Sequence, residues 1–219
     1  MRATFQAAVL SALACLAGCG GADEVMVAVP PPPGWAEQVA AGRAEKDQEF
    51  RTSPDTPLLA ADVPGFRGLE YWPPDPSYRF VGPVRREASP ERFMILSTTG
   101  KLRPCEKFGS IAFEVRGKRC KLRIYRMLDS GPRGEASGLF IPFTDGTTGR
   151  ETYPAGRYVN VAGPDGGGYV VDFNLAYNPS CAYGAPERFA CPVPPAENRL
   201  SVRIEAGERG FKRHGEGAK

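Results

Sequence analysis

The sequence predicts a mainly β protein, an antiparallel β-sandwich or flattened barrel with one packed N-terminal helix. Two observations carry this. Gly and Pro are abundant, at 26 and 22 of 219 residues, and they punctuate short β-branched and aromatic stretches rather than long 3.6-residue patterns. No βαβ alternation and no internal repeat is visible, so a doubly wound parallel sheet is not expected.

Taken in order, the chain opens with Arg2 and an apolar run from Phe5 to Leu16 broken only by Gln6 and Ser11, the layout of an export signal. About a dozen apolar residues make roughly 18 Å of helix, and crossing a bilayer takes about 20, so the run is too short for an ordinary anchor. Leu16-Ala17-Gly18-Cys19 resembles the lipobox that bacterial lipoprotein signal peptidase cleaves before a cysteine carrying lipid. On that resemblance residues 1–18 are a signal peptide and Cys19 is the lipidation site. The alternatives are a plain secretory signal cut elsewhere and a cytosolic protein with an apolar start. One acyl chain binds a membrane only marginally, whereas two or more, palmitate among them, hold firmly. The resemblance implies an extracytoplasmic protein lipid-anchored to the cell membrane, the outer membrane if the host is Gram-negative, because Gly20 rather than Asp follows the cysteine. The membrane is the expected partner, with an unidentified small-molecule ligand as a second.

Residues 19–34 are small and polar, then Val-rich, and include Pro30 to Pro33; they read as a tether extended at about 3.1 Å per proline. Trp35 to Phe50 reads as the helix, with Trp35, Val39 and Phe50 spaced for one face. Prolines and glycines then crowd Phe66, Leu69, Tyr71 and Trp72, an irregular segment pinned by aromatic rings. Strands are expected at Tyr78–Val84, Phe93–Ser97, Ser110–Val115, Cys120–Met127, Leu139–Phe143, Tyr158–Val161, Tyr169–Asn174 and Leu200–Glu205. The strongest hairpin sets Ile111, Phe113 and Val115 against Cys120, Leu122 and Ile124, with Gly117 in the turn and Glu114, Lys121 and Arg123 outward. A single domain then spans residues 35–209, and residues 210–219 read as a disordered tail.

About 200 residues remain after cleavage, enough for one core. Charge is nearly balanced, 28 Lys plus Arg against 25 Asp plus Glu, and the cations are scattered, so no nucleic-acid footprint is present. Of six cysteines, Cys15 leaves with the signal and Cys19 takes lipid. Cys181 and Cys191 flank a turn in an oxidising compartment and read as a disulfide rather than as metal ligands. Cys105 and Cys120 pair only if strand order brings their Cα atoms within ~7 Å.

The one histidine, His214, falls in the tail, which disfavours Ser-His and Cys-His nucleophiles and imidazole-rich metal sites. No metal and no cofactor is expected, and no loop has the spacing of a Ca²⁺-binding EF-hand. Chemistry is instead concentrated in polar phrases: Phe143-Thr144-Asp145-Gly146-Thr147-Thr148-Gly149-Arg150-Glu151-Thr152-Tyr153, Gly156-Arg157-Tyr158, Asp172-Phe173-Asn174, Tyr177-Asn178-Pro179, Glu197-Asn198-Arg199 and Glu205-Ala206-Gly207-Glu208. These, with Arg43, Lys46-Asp47, Phe50, Gly68-Leu69 and Tyr71, resemble the signature of an uncharacterised prokaryotic family, domain of unknown function 1684. Thr56 and Trp72 stand where that pattern favours Ser and Phe. The resemblance implies a shared fold and polar cluster and adds no substrate.

From chemistry alone, Asp145, Glu151, Asp172 and Glu197 are candidates for acid–base work, Arg157 and Arg199 for binding carboxylate or phosphate, and Asn174 and Asn178 for orienting. The competing reading is structural: Asp and Asn beside Gly and Pro form Asx-turns, and Arg157 clamps a loop. Two functions follow. One is an envelope lipoprotein with a binding or structural β-domain. The other is a metal-independent, glycosidase-like hydrolase, which needs two of the four acids within ~5–9.5 Å in an open cleft.

Overall fold

The computed structural model describes residues 24–129, 138–165, 168–184 and 186–212. The expected signal peptide, Cys19 and His214 lie outside the described residues. The elements are β1 (Val25–Ala28), α1 (Trp35–Thr52), β2 (Arg79–Gly82), β3 (Arg85–Arg86), β4 (Arg92–Leu96), β5 (Leu102–Val115), β6 (Lys118–Met127), β7 (Leu139–Phe143), β8 (Arg157–Asp165) and β9 (Gly168–Asp172).

The protein is mainly β, and its centre is a closed barrel of seven strands in the order β1-β2-β9-β8-β7-β6-β5, with β5 returning to β1. Of the two architectures the sequence allows, the barrel is realised. Neighbours pair antiparallel except β1 and β5, which run parallel with Val25 beside Ala112 and Met26 beside Phe113. The β5–β6 hairpin is the longest ladder, and it pairs Ile111 with Leu122 and Phe113 with Cys120. Its turn places Arg116 at φ 50° and Gly117 at φ 75°, the doubly left-handed geometry whose twist matches the flanking strands.

The inward residues fill the barrel. Phe80, Phe113, Phe143 and Phe173 form one aromatic cluster with centroid separations of 4.9 Å (Phe80–Phe113), 5.4 Å (Phe113–Phe173) and 5.3 Å (Phe143–Phe173), packed by Leu122, Ile124, Ile141, Val159 and Val171. A second cluster lies outside it. Ile95, Cys105 and Tyr125 on one face of β4, β5 and β6 pack against Cys181, Phe189 and Cys191 of the following loop. Helix α1 docks through Phe50 onto Phe66 and Tyr183, the latter ring 4.8 Å away and edge-on.

Three expectations are corrected. The tether does not begin at residue 19 and run unbroken to 34: Val25–Ala28 is a strand bonded on both edges, and Met26 is 1% exposed inside the barrel. Its Val-rich alternation is a period-2 signal, and without it β2 and β5 would leave open edges. The stretch Leu200–Glu205 is not a strand. It alternates as one, with Leu200, Val202 and Ile204 buried, but side chains rather than a full ladder satisfy much of its backbone. The tail reading fails at its start, because Gly210 donates to the Glu151 carbonyl at 2.8 Å and Phe211 packs on Phe66 and Tyr183.

Barrel closure through β1 makes Met26 a core residue. Met26→Ala is expected to lower the unfolding free energy by about 2–5 kcal/mol, while Val27→Ala, at a half-exposed position, stays within about 0.5 kcal/mol. Equal urea midpoints for the two variants would show that β1 does not belong to the cooperative core.

Candidate functional site

The polar residues singled out by sequence separate into three buried clamps and a surface cleft. The first clamp is Asp145 with Arg157. Arg157 begins β8, is 1% exposed, and lies with its guanidinium 5.4 Å from the Trp72 ring centre and 5.3 Å from that of Phe143. Its Nη1 donates to the carbonyls of Ala206 (2.6 Å) and Glu208 (3.1 Å), and Nη2 to Ile204 (2.8 Å). Asp145 Oδ2 meets Arg157 at 3.5 Å and accepts the Ile204 amide at 2.6 Å, while Oδ1 accepts from the Thr147 amide and hydroxyl. Burial pulls Arg157 down to about 10, against the opposing charges of Asp145 and Glu208. The pair therefore stands in for the strand ladder that residues 204–208 lack.

The second clamp is one that sequence reasoning did not assemble. Glu208 has no solvent exposure; its Oε2 takes Lys46 Nζ at 2.7 Å, and its Oε1 takes Asn178 Nδ2 at 2.8 Å and the Tyr183 hydroxyl at 2.5 Å. Lys46 reaches this acid from α1 between the rings of Phe50, Tyr177 and Tyr183, each 5.5 to 5.6 Å from its ammonium. Burial, then the Glu208 charge, pushes the phenols of Tyr71 and Tyr183 up. Gly207 precedes the acid at φ 76°, where a Cβ would come within 2.6 Å of the Phe173 and Ala176 carbonyls.

The third clamp fixes the other end of α1. Trp35 Nε1 donates to Asp172 Oδ2 at 2.7 Å, and Asp172 Oδ1 accepts the Asn174 amide and Nδ2, both at 2.9 Å. Asn174 also bonds both backbone groups of Asp75, and Arg43 donates to the carbonyls of Trp72 and Asn174. Burial lowers Arg43. Trp35 read as an apolar helix residue, and its indole N–H is the part that pattern alone does not assign. Asn198, also missed as a functional side chain, is fully buried and bonds the Arg123 amide and the carbonyls of Arg123 and Pro142, bridging β6 and β7.

The remaining candidates are peripheral. Glu197 accepts from the Tyr125 hydroxyl, and Arg199 is exposed, its backbone bridged to Thr144. Glu151 is held by Arg203 at 2.8 Å, a contact that also holds its carboxyl pKa below the usual carboxylate range. Asp145 and Glu151 share the loop between β7 and β8, Asp172 ends β9 and Glu197 precedes Asn198, and among the described residues the cleft that Glu151 lines includes none of Asp145, Arg157, Asp172 and Asn178. Glu151 lines a cleft of about 240 Å³ between the 149–154 turn and residues 209–212. Glu70 and Arg209 meet across it at 3.7 Å, and Arg150, Tyr153 and Phe211 complete the wall.

The expected Cys181–Cys191 disulfide is not formed; both thiols are free, and the Tyr153 hydroxyl donates to Cys181 Sγ at 3.8 Å. The neighbouring thiol, ahead of contributions from Thr98 and Tyr153, draws Cys181 down to about 6, while Cys191 is pushed up. The loop is secured instead by backbone bonds, Thr98 to the Cys191 carbonyl and Val193 to that of Leu96, both 2.8 Å. Cys105 and Cys120 are free as well. They face Met127 and Phe113 at opposite ends of one hairpin, which explains why they do not pair. Among the described residues no group of three or more His, Cys, Asp or Glu is placed to hold a metal ion.

Residues 64–209 match a family described as "Protein of unknown function (DUF1684)". A solution NMR structure of an uncharacterized protein from Haloarcula marismortui is similar at 34% identity and a TM-score of 0.60, covering 80% of this chain and 94% of that one. No curated protein matches.

Removing one side of the second clamp leaves a charge without its partner. Glu208→Ala is expected to cost about 3–5 kcal/mol in equilibrium denaturation, with part of the loss recovered in the double variant Lys46→Met, Glu208→Leu. Gly207→Ala should cost more than about 1 kcal/mol, since the added Cβ meets two carbonyls at an unfavourable φ. The phenols of Tyr71, Tyr125, Tyr153, Tyr158 and Tyr183 are all raised. Their stabilisation is complete below the ordinary phenol value of about 10 and is lost as pH rises above it, because unfolding then releases protons. Arg157 and Arg43, lowered, act in the opposite sense but are outnumbered by the five phenols. Denaturation midpoints should fall between about pH 10 and 11.5, and a flat profile there would contradict the buried-phenol account.

Proposed function

The chain belongs to the DUF1684 family, and on that footing we propose that it is an envelope lipoprotein whose β-domain binds a small polar ligand in the cleft beside Glu151. The observation that carries the binding reading is the disposition of the acids. Two-carboxylate hydrolysis needs a pair flanking an open cleft, yet Asp145 and Asp172 are buried on internal donors and Glu197 is bound to Tyr125. Of the four, Glu151 alone lines the cleft, and the other carboxylate there, Glu70, is paired with Arg209 at 3.7 Å.

The cleft suits a ligand carrying both charge signs. Glu70 and Glu151 line it together with Arg150, Arg209 and Lys212, and the rings of Tyr153 and Phe211 stand among them. Its volume lies below the ~300–1,000 Å³ of sites for drug-sized ligands, so the occupant is of amino-acid or monosaccharide size. Export and anchoring rest on Arg2, the Phe5–Leu16 run and Cys19, and among the described residues no helix is long and apolar enough to cross a membrane.

Both halves are testable. In a bacterial host the protein should incorporate labelled palmitate and fractionate with membranes, and Cys19→Ala should abolish both. Thermal-shift screening against amino acids, sugars and nucleotides should find a class that raises Tm by roughly 5–10 °C at a hundredfold excess over Kd. Tyr153→Ala should remove that shift. A shift of equal size in the variant would place the ligand elsewhere.

A further inference from the structure

The β4–β5–β6 segment presents two unlike faces. On the inner one, Phe93, Ile95, Cys105 and Tyr125 pack beneath the Cys181–Cys191 loop. The outer face of a half-solvated sheet is ordinarily polar. Here it is apolar. Register places Met94 opposite Pro104 and Leu96 opposite Leu102, and the Leu128 amide donates to the Pro104 carbonyl at 3.0 Å, so these residues adjoin across three strands. Met94 is 50% exposed, Leu96 51%, Leu102 57% and Leu128 40%. A contiguous exposed apolar patch of this kind marks an interaction surface.

Cations rim it. Lys101 stands exposed in the turn after β4. One step along the same face, Arg92 and Arg126 share the single acid Glu106 at 3.4 and 3.5 Å, and Arg86 and Arg126 stack on Phe108. Apolar side chains ringed by a net positive border fit an anionic lipid surface, where apolar groups enter the headgroup–acyl boundary and Lys and Arg meet phosphates.

Chain geometry argues for the same occupant. Because β1 runs parallel to β5 with Val25 beside Ala112, the N-terminal end of β1 points toward the end of the sheet at which β5 begins, Leu102. The few residues between Cys19 and Val25 span at most roughly 20 Å. We infer that the outer face formed by Met94, Leu96, Leu102, Pro104 and Leu128 lies on the bilayer that anchors the protein, orienting the β-domain on the membrane. This rests on the lipid anchor at Cys19 and adds a second contact to it.

The test uses the full-length protein purified from membranes, with acylation of Cys19 measured first by intact mass. Leu96→Trp and Leu102→Trp are reconstituted into vesicles of phosphatidylglycerol and phosphatidylcholine with brominated acyl chains. Wild type gives the background from Trp35 and Trp72, and Glu45→Trp on the exposed side of α1 is the reference. The expected result is that both patch tryptophans are blue-shifted and lose most of their emission to bromine, while Glu45→Trp does not. Equal emission from all three positions in acylated protein would overturn the proposal. So would a doubled mass in lipid-free solution with the patch tryptophans already shielded, which assigns the face to a second copy of the chain. If Cys19 carries no acyl chain, the anchor reading falls separately. Flotation of the unlipidated full chain with the same vesicles then decides: binding abolished by Leu96→Glu with Leu102→Glu upholds the patch, and no binding overturns it.

Discussion

The fold depends on an arginine placed where hydrocarbon would be expected. Arg157 sits at the end of a barrel whose interior is otherwise aromatic and aliphatic, and it spends its donors on the carbonyls of residues 204, 206 and 208. A buried guanidinium is costly in isolation, which its lowered proton affinity registers. Asp145 offsets that cost and simultaneously holds the Ile204 amide, so one ion pair does for the C-terminal segment what a neighbouring strand does elsewhere. The arrangement places Glu208 at a fixed point, and Lys46, Asn178 and Tyr183 converge there to lock α1 against the barrel.

This explains why so many polar residues cluster in the C-terminal half. A strand that pairs in a sheet needs only alternation, whereas an extended segment that leaves the sheet must find donors and acceptors among side chains. The Asp145 turn, the Asp172–Asn174 turn and Asn198 each satisfy backbone in this way. Once the internal partners are assigned, the cleft beside Glu151 and the apolar outer face of β4–β6 are the features whose chemistry points outward.

Legibility from sequence followed periodicity. The β5–β6 hairpin, β7 and α1 were readable because their alternation or helical spacing is long enough to stand out, and the hairpin turn is set by Gly117. The short Val25–Ala28 strand was obscured by the prolines beside it. Leu200–Glu205 showed the reverse error: the period of a strand is also the period of any extended chain with one buried side. Among candidate residues, Arg157 as a clamp on the Asp145 turn is legible because the two lie in neighbouring polar phrases, whereas Lys46 and Glu208 lie far apart in sequence and become partners only in three dimensions.

By itself the sequence determined the class of fold, the family resemblance and the list of polar residues, because each is written in local composition, spacing or motif. Tertiary structure decided that the barrel closes through a parallel β1–β5 pair, that the thiols of Cys181 and Cys191 stay free, and which acids are internal fasteners. Those outcomes depend on distances between residues remote in the chain, and on whether water or a buried partner reaches each polar group, which no local pattern encodes.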